Sequence, residues 1–232
     1  MVKGDNKGHA YEKKIFKILK EKQLLPPGTK KGAGSGPGTD TPFLHKKKEY
    51  RLEVKNSVIA PDYGQKRLVP KRDKEGKQIF GKWDWAKKEE ITDYYTKRGV
   101  LKYLDRKKII PRKHRKDNDK LTSNDVKRDQ KVFEDKTYLI SNTAFVKFYE
   151  DKADYVQVGK GYGLFHIKED KAKLGTELFR GKFILRFRAK RHTTKIIPNY
   201  SFFAVLKCKE VLRRSRYNLE EDLNNDFPPI KP

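Results

Sequence analysis

From Tyr50 to Lys55, apolar and charged side chains alternate without a break, with Tyr50, Leu52 and Val54 set against Arg51, Glu53 and Lys55. Successive side chains of a strand point to opposite faces. The segment is therefore expected to be a half-buried strand whose second face carries a carboxylate and an ammonium two residues apart. Any fold for this chain must give Glu53 and Lys55 one shared surface. Upstream, TPFLH and the basic run Lys46 to Lys48 read as the first arm and the turn of an antiparallel hairpin. The glycine-rich KKGAGSGPGTD at 30–40 reads as a loop that ends on Asp40.

Residues 9–24 are expected to form the first helix. Tyr11, Ile15, Phe16, Ile18 and Leu19 recur at helical spacing, and Pro26 and Pro27 stop it. Glu12 falls between Leu19 and Phe16, on the inward edge. It reads either as a helix-start acid favoured by the macrodipole or as a functional carboxylate.

The rest of the chain reads as one domain, with a core at 7–60 and about 124–212, a basic insertion at about 61–122, and a loose acidic, Pro-containing tail at 218–232. The insertion holds a hairpin turning near Gly76 and an aromatic segment from Trp83 to Tyr95. Between 97 and 116 there are ten Lys or Arg and one acid. Tyr94, Tyr95 and Tyr103 interleave with these cations in a way that suits nucleic-acid contacts. A long helix is expected over about 124–150, with Ser123 as its cap. ADYVQVGKGYGLFHI reads as a hairpin turning on Gly159 to Gly163, a run that lacks the GxxxxGK[ST] pattern of a phosphate loop. GKFILRFRAKRHTT and NYSFFAVLKCKEV read as two further strands, the first with Arg186 and Arg188 on one face and Leu185 and Phe187 on the other.

Composition narrows the partners. Lys and Arg number 57 against 31 Asp and Glu, a formal net charge of +26, which calls for a polyanion. The expected DNA contacts are Lys97, Arg98, Arg106, Lys107, Arg112, Lys113, Arg186, Arg188, Lys190 and Arg191. Cys208 is the only cysteine, and the five histidines show no HxH or HExxH spacing, so a zinc site is not expected. Nowhere do 18 apolar residues run together, and the first residues are polar. The expectation is a cytoplasmic protein with no membrane partner.

Metal-assisted phosphodiester hydrolysis needs hard oxygen ligands and a cation near the attacked phosphate. Asp40, Glu53 and the Val54 carbonyl supply the oxygens for Mg²⁺, with Mn²⁺ as a substitute, and Lys55 supplies the cation. KGHAYEKKIFKIL, GAGSGPGTD and RLEVKNS follow one another within residues 7–57, about a quarter of the chain. In this order they resemble the active-site segment of the PD-(D/E)XK nuclease superfamily, and within it the archaeal-type Holliday junction resolvases. Thr39 stands where that family has proline.

The resemblance implies an α/β fold with a restriction-endonuclease-like αβββαβ core around a mixed sheet of four or five strands. It implies a homodimeric, Mg²⁺-dependent endonuclease acting on branched or duplex DNA. Asp40 and Glu53 match its metal ligands, Lys55 its catalytic lysine, Glu12 its helix acid, and Ser35 a loop serine near metal or phosphate. A sequence-specific type II restriction endonuclease is the alternative within this class. Outside it stands a non-enzymatic nucleic-acid-binding protein, in which the acids merely pair with surplus lysines.

Overall fold

The computed structural model describes residues 7–29, 41–116, 120–192 and 199–220. The chain is α/β and divides into two compact units, one comprising residues 1–61, 145–182 and 208–232, the other 62–144 and 183–207. The segment expected as an insertion thus shares a unit with 124–144 and 183–207. Among the described residues, no helix is long and apolar enough to cross a membrane.

The first unit is built on a mixed five-stranded sheet. Helix α1 (Lys7–Glu21) starts two residues earlier than its periodicity predicts and ends three earlier, where the chain turns through a left-handed Gln23. Strands β1 (Thr41–His45) and β2 (Lys48–Lys55) form the expected hairpin, turning on Lys46 and Lys47, both at positive φ. Two further strands, β6 (Tyr155–Val158) and β7 (Gly163–His166), form the second hairpin, and β8 (Glu177–Leu178) completes the order β1-β2-β6-β7-β8.

Strand β6 lies parallel to β2, with Glu53 opposite Val156 and Lys55 opposite Val158. It is buried along its whole length, as a strand covered on both faces must be. One face packs Leu52, Val54 and Tyr155 against Ile15, Ile18 and Leu19 of α1. The other faces an aromatic cluster in which the Phe145 ring contacts those of Tyr149 and Phe179, and Phe179 in turn contacts Phe165.

The parallel pair is clamped at its start. Arg51 reaches Asp154 through its backbone N–H (2.9 Å), Nε (3.2 Å) and Nη2 (3.0 Å), Lys171 adds a bond of 2.7 Å, and the Asp154 N–H returns to the Arg51 carbonyl. Burial alone would push the Asp154 carboxyl up, but the Arg51 and Lys171 bonds outweigh it and hold the group at about 2. Its folded value lies below the ordinary carboxylate value, so the clamp contributes fully above about pH 4 and is lost as pH falls toward 2. Asp154→Asn is therefore expected to cost about 2 kcal/mol near neutral pH, with the gap from wild type closing as the pH is lowered. Urea midpoints measured from pH 6 to pH 2 check this. A gap independent of pH would mean that the carboxylate's charge is not what holds the two strands.

The second unit carries the antiparallel sheet β4-β3-β10-β9-β5. Its strands are β3 (Gly64–Arg72), β4 (Gln78–Trp85), β5 (Thr137–Ile140), β9 (Gly181–His192) and β10 (Asn199–Val211), the last two extending past the unit's boundary at one end. The β3–β4 turn is at Gly76, as expected. Helices α2 (Glu90–Lys97), α3 (Val100–Arg106) and α4 (Ser123–Phe133) accompany it. The core gathers Trp83 against His114, Phe133 and Phe202.

The expected long helix over 124–150 does not form. It is α4, then β5, then α5 (Asn142–Tyr149). Thr137–Ile140 pairs antiparallel with Phe183–Arg186 of β9, and this ladder overrides local helix propensity. Thr122, not Ser123, caps α4 in a capping box with Asp125. The aromatic segment also departs from expectation, since Trp83, Trp85 and Tyr95 are buried and Tyr103 stacks on Phe187. These rings build the unit's core, where burial is worth more than exposure beside cations.

Candidate active site

Period-2 alternation on β2 places Glu53 and Lys55 together on the face opposite Leu52 and Val54. The Lys55 ammonium lies 2.5 Å from Glu53 Oε1, and the Tyr149 hydroxyl donates to that same oxygen at 3.1 Å. Tyr149 arrives at the end of α5, just before the turn into β6, so the parallel β2–β6 pairing is what delivers it. The side chains of Lys55 and Glu53 are only 12% and 13% exposed. A lysine that merely soaks up surface charge would be solvated, and such pairs contribute little. This one is mostly out of water and must be held by its partners.

Among the described residues, pairing with β1 reaches Thr41 opposite Leu52, the residue before Glu53. Asp40 directly precedes Thr41 in the chain, but both Asp40 and Ser35 lie outside the described residues. Among the described residues, no group of three or more His, Cys, Asp or Glu is gathered as for a metal ion. At the end of β2 the oxygens are the Glu53 carboxylate and the Val54 carbonyl. Both are hard oxygens, the type Mg²⁺ takes, so they fit that ion as part of a set.

Glu12 lies on α1, which packs on the Leu52 and Val54 side of the sheet, and its carboxylate meets His9 Nδ1 at 3.2 Å. Its neighbour Tyr11 marks where this end of the helix sits. A Cβ on Gly159 would fall 2.9 Å from the Tyr11 ring and 2.8 Å from the Asn56 carbonyl, so α1 begins at the carboxyl ends of β2 and β6. Glu12 is thus at the same end of the strands as Lys55 but on the other side of the sheet, paired with His9.

That corner is locked by residues the sequence did not single out. Gln157, buried on β6, donates to the Tyr11 hydroxyl at 3.1 Å and to Asn218 Oδ1 at 2.9 Å. Tyr11 donates to Glu220 at 2.9 Å, and Lys14 reaches the same carboxylate at 2.7 Å. Burial, with Glu220 adding to it, pushes the Tyr11 phenol well above its ordinary value and keeps it a donor. The expected loose tail is corrected here, because Asn218 and Leu219 are buried and Glu220 is bonded. Residues 221–232 lie outside the described residues. No local signal could have found these partners, since they are joined only across the sheet.

The Lys and Arg residues expected to contact DNA all fall on the second unit. Lys97, Arg98, Arg106, Lys107, Arg112, Arg186, Lys190 and Arg191 are exposed and Arg188 is half-buried. Lys113 is drawn inward, its ammonium bonded to the Tyr200 carbonyl and set 5.0 Å over the Tyr200 ring, and burial lowers its pKa. Arg186 and Arg188 line a cleft of about 430 Å³ with Lys127 and Lys131 of α4. Beside them Asp62 pairs with Arg188 (3.5 Å) and Lys207 (3.3 Å). Burial, with Arg186 and Arg188 adding to it against the pull of Asp62, lowers the Lys207 pKa. The contribution of α4 was hidden by the expectation of one long helix. The chain matches no family model, no curated protein and no solved structure.

Proposed function

We propose that this chain is a Mg²⁺-dependent endonuclease that hydrolyses phosphodiester bonds of branched or duplex DNA. The observation that carries this reading is the Glu53–Lys55 pair, held on one strand face at low exposure with Tyr149 on the same carboxylate oxygen. The element order supports it too. Helix α1, strands β1 and β2 ending in Glu-Val-Lys, then α5 and β6 parallel to β2 agree with the αβββαβ order except for its third strand, which this sheet lacks before α5 among the described residues.

In this reading Glu53 and the Val54 carbonyl, with Asp40 from the adjoining segment, hold Mg²⁺. The ion, when bound, neutralises charge on the attacked phosphate. Tyr149 fixes the Glu53 carboxylate. Lys55, on the same oxygen, sets its ammonium where negative charge grows on the phosphoryl oxygens. The basic cleft of the second unit supplies affinity for the DNA backbone, and a homodimer supplies the two sites that cutting both strands needs.

The test is supercoiled plasmid, linear duplex and a four-way junction incubated with Mg²⁺, Mn²⁺ or EDTA. Cutting with either metal that stops in EDTA is expected. Binding to all three substrates without any cutting would replace the reading with a non-enzymatic nucleic-acid-binding protein.

The cleft makes its own prediction. Replacing Arg186 and Arg188 together by Gln removes two phosphate contacts and is expected to flatten the slope of log affinity against log salt by about 1.8. Titrations of duplex DNA between low and high salt in EDTA measure it. An unchanged slope would take the α4–β9 cleft away from the backbone.

A further inference from the structure

A second pocket of the same unit, of about 310 Å³, lies between α2 and β5 and shares no lining residue with the basic cleft. Its walls include Tyr94, Tyr95, Arg98, Tyr138, Leu139 and Ser141. Two of the rings are tethered by their hydroxyls, Tyr94 to Ser141 Oγ at 3.3 Å and Tyr138 to the Arg98 carbonyl at 2.5 Å. Their orientations are thereby fixed without a ligand. The Arg98 guanidinium lies 5.2 Å over the Tyr94 ring, and its side chain is otherwise exposed.

The third ring is different. Tyr95 is 1% exposed, and its hydroxyl has no hydrogen-bond partner among the described residues. Burial holds the phenol in its protonated form. Tyr95 therefore closes the inner wall, its hydroxyl sealed from solvent, and the pocket offers the half-buried Tyr94 and Tyr138 rings and one guanidinium.

A planar group with a negative charge on its attachment uses both. A nucleobase with its phosphate is such a group, and aromatic faces with arginine are how unpaired bases are held. We propose that this pocket takes one unpaired nucleobase, so that the DNA preferred by the chain contains unpaired nucleotides, as branched and gapped molecules do. In an intact duplex the bases are stacked and paired, and bringing one out costs free energy. The inference rests on the reading of the chain as a DNA-binding protein and is independent of its hydrolytic chemistry.

The experiment uses the full chain in EDTA, where nothing is cut, and two duplexes of equal length, one sealed and one with a single unpaired 2-aminopurine in a gap. Wild type is expected to bind the gapped duplex about tenfold more tightly and to quench its fluorescence. Tyr94→Ala is expected to remove that advantage, and Tyr138→Leu, which keeps the bulk and loses the aromatic face, to reduce it about threefold, both leaving sealed-duplex affinity unchanged. Unchanged sealed-duplex binding reports that the variants are folded. If Tyr94→Ala is not folded, Tyr94→Leu and Tyr138→Leu carry the test.

Equal affinity of wild type for the two duplexes would overturn the proposal, as would a gap preference that survives in every folded variant. It would also fall if the variants instead abolished self-association in sedimentation, because the exposed Leu139 on edge strand β5 would then be serving a second copy of the chain. A gap preference that is present while Mg²⁺ supports no cutting would leave this pocket standing and the nuclease reading fallen.

Discussion

Glu53→Gln is expected to lower plasmid cutting in Mg²⁺ by about three orders of magnitude or more, while DNA binding in EDTA stays at the wild-type level or tightens. The amide keeps the shape of the side chain and still accepts from Tyr149, but it is a far poorer ligand for a hard cation. It also removes the negative charge 2.5 Å from the Lys55 ammonium at 12% exposure, so a loss of stability accompanies the loss of rate. The two effects separate in the companion variants. Lys55→Ala removes the ammonium and is expected to cost about a hundredfold to a thousandfold in single-turnover rate. Tyr149→Phe leaves both charges and loses only the orienting hydroxyl, with an expected cost of roughly tenfold to a hundredfold. Single-turnover cleavage, with circular dichroism as the folding control, gives the comparison. Wild-type cutting by Glu53→Gln would falsify the placement of the reaction on β2.

Gly163→Ala is expected to destabilise the chain by about 3–5 kcal/mol. Gly163 has φ +94°, and a Cβ there would fall 2.2 Å from the Tyr217 carbonyl oxygen. The obstacle is backbone, held by the Leu164 N–H at 2.6 Å and flanked by the bond from the Ser215 N–H to the Tyr162 carbonyl at 2.8 Å. It cannot swing aside as a side-chain tip would. The segment 215–220 must lift, and with it go the burial of Leu219 and the bonds of Asn218 and Glu220 to the Gln157–Tyr11 corner. Gly161, two residues earlier, is the control. It also has positive φ, at +72°, yet the nearest atom to its Cβ is the Arg214 guanidinium tip at 3.8 Å. Gly161→Ala is therefore expected to cost only the conformational term, about 1–2 kcal/mol. Urea unfolding at fixed pH measures both. Equal losses at the two positions would show that the close approach to Tyr217 has no energetic weight.

Much of the fold was legible because its signals are local. Alternation at i and i+2 marked β2 and put Glu53 beside Lys55, and the same alternation on β9 put Arg186 and Arg188 outward over a buried Leu185 and Phe187. Glycine and lysine turns marked both hairpins of the first sheet, and Gly76 marked the first hairpin of the second. The charge balance of +26 needs no structure to indicate a polyanionic partner.

What the tertiary structure decided involves residues far apart in the chain. Tyr149 meets Glu53 across 96 positions, and Glu220 meets Tyr11 across 209. No spacing rule links such residues. They meet because β6 returns parallel to β2 in one register and because the closing segment lies against β7, choices settled by the total apolar surface buried. The same physics cut the expected helix at 124–150 in three, since Thr137–Ile140 satisfies its backbone groups better in a ladder with β9 than in a helix. It also turned Trp83, Trp85 and Tyr95 inward. A sequence states which faces a strand or helix offers, and the tertiary structure decides which of those faces meet. The pair on β2 belongs to the first kind of information, and the hydroxyl that holds it belongs to the second.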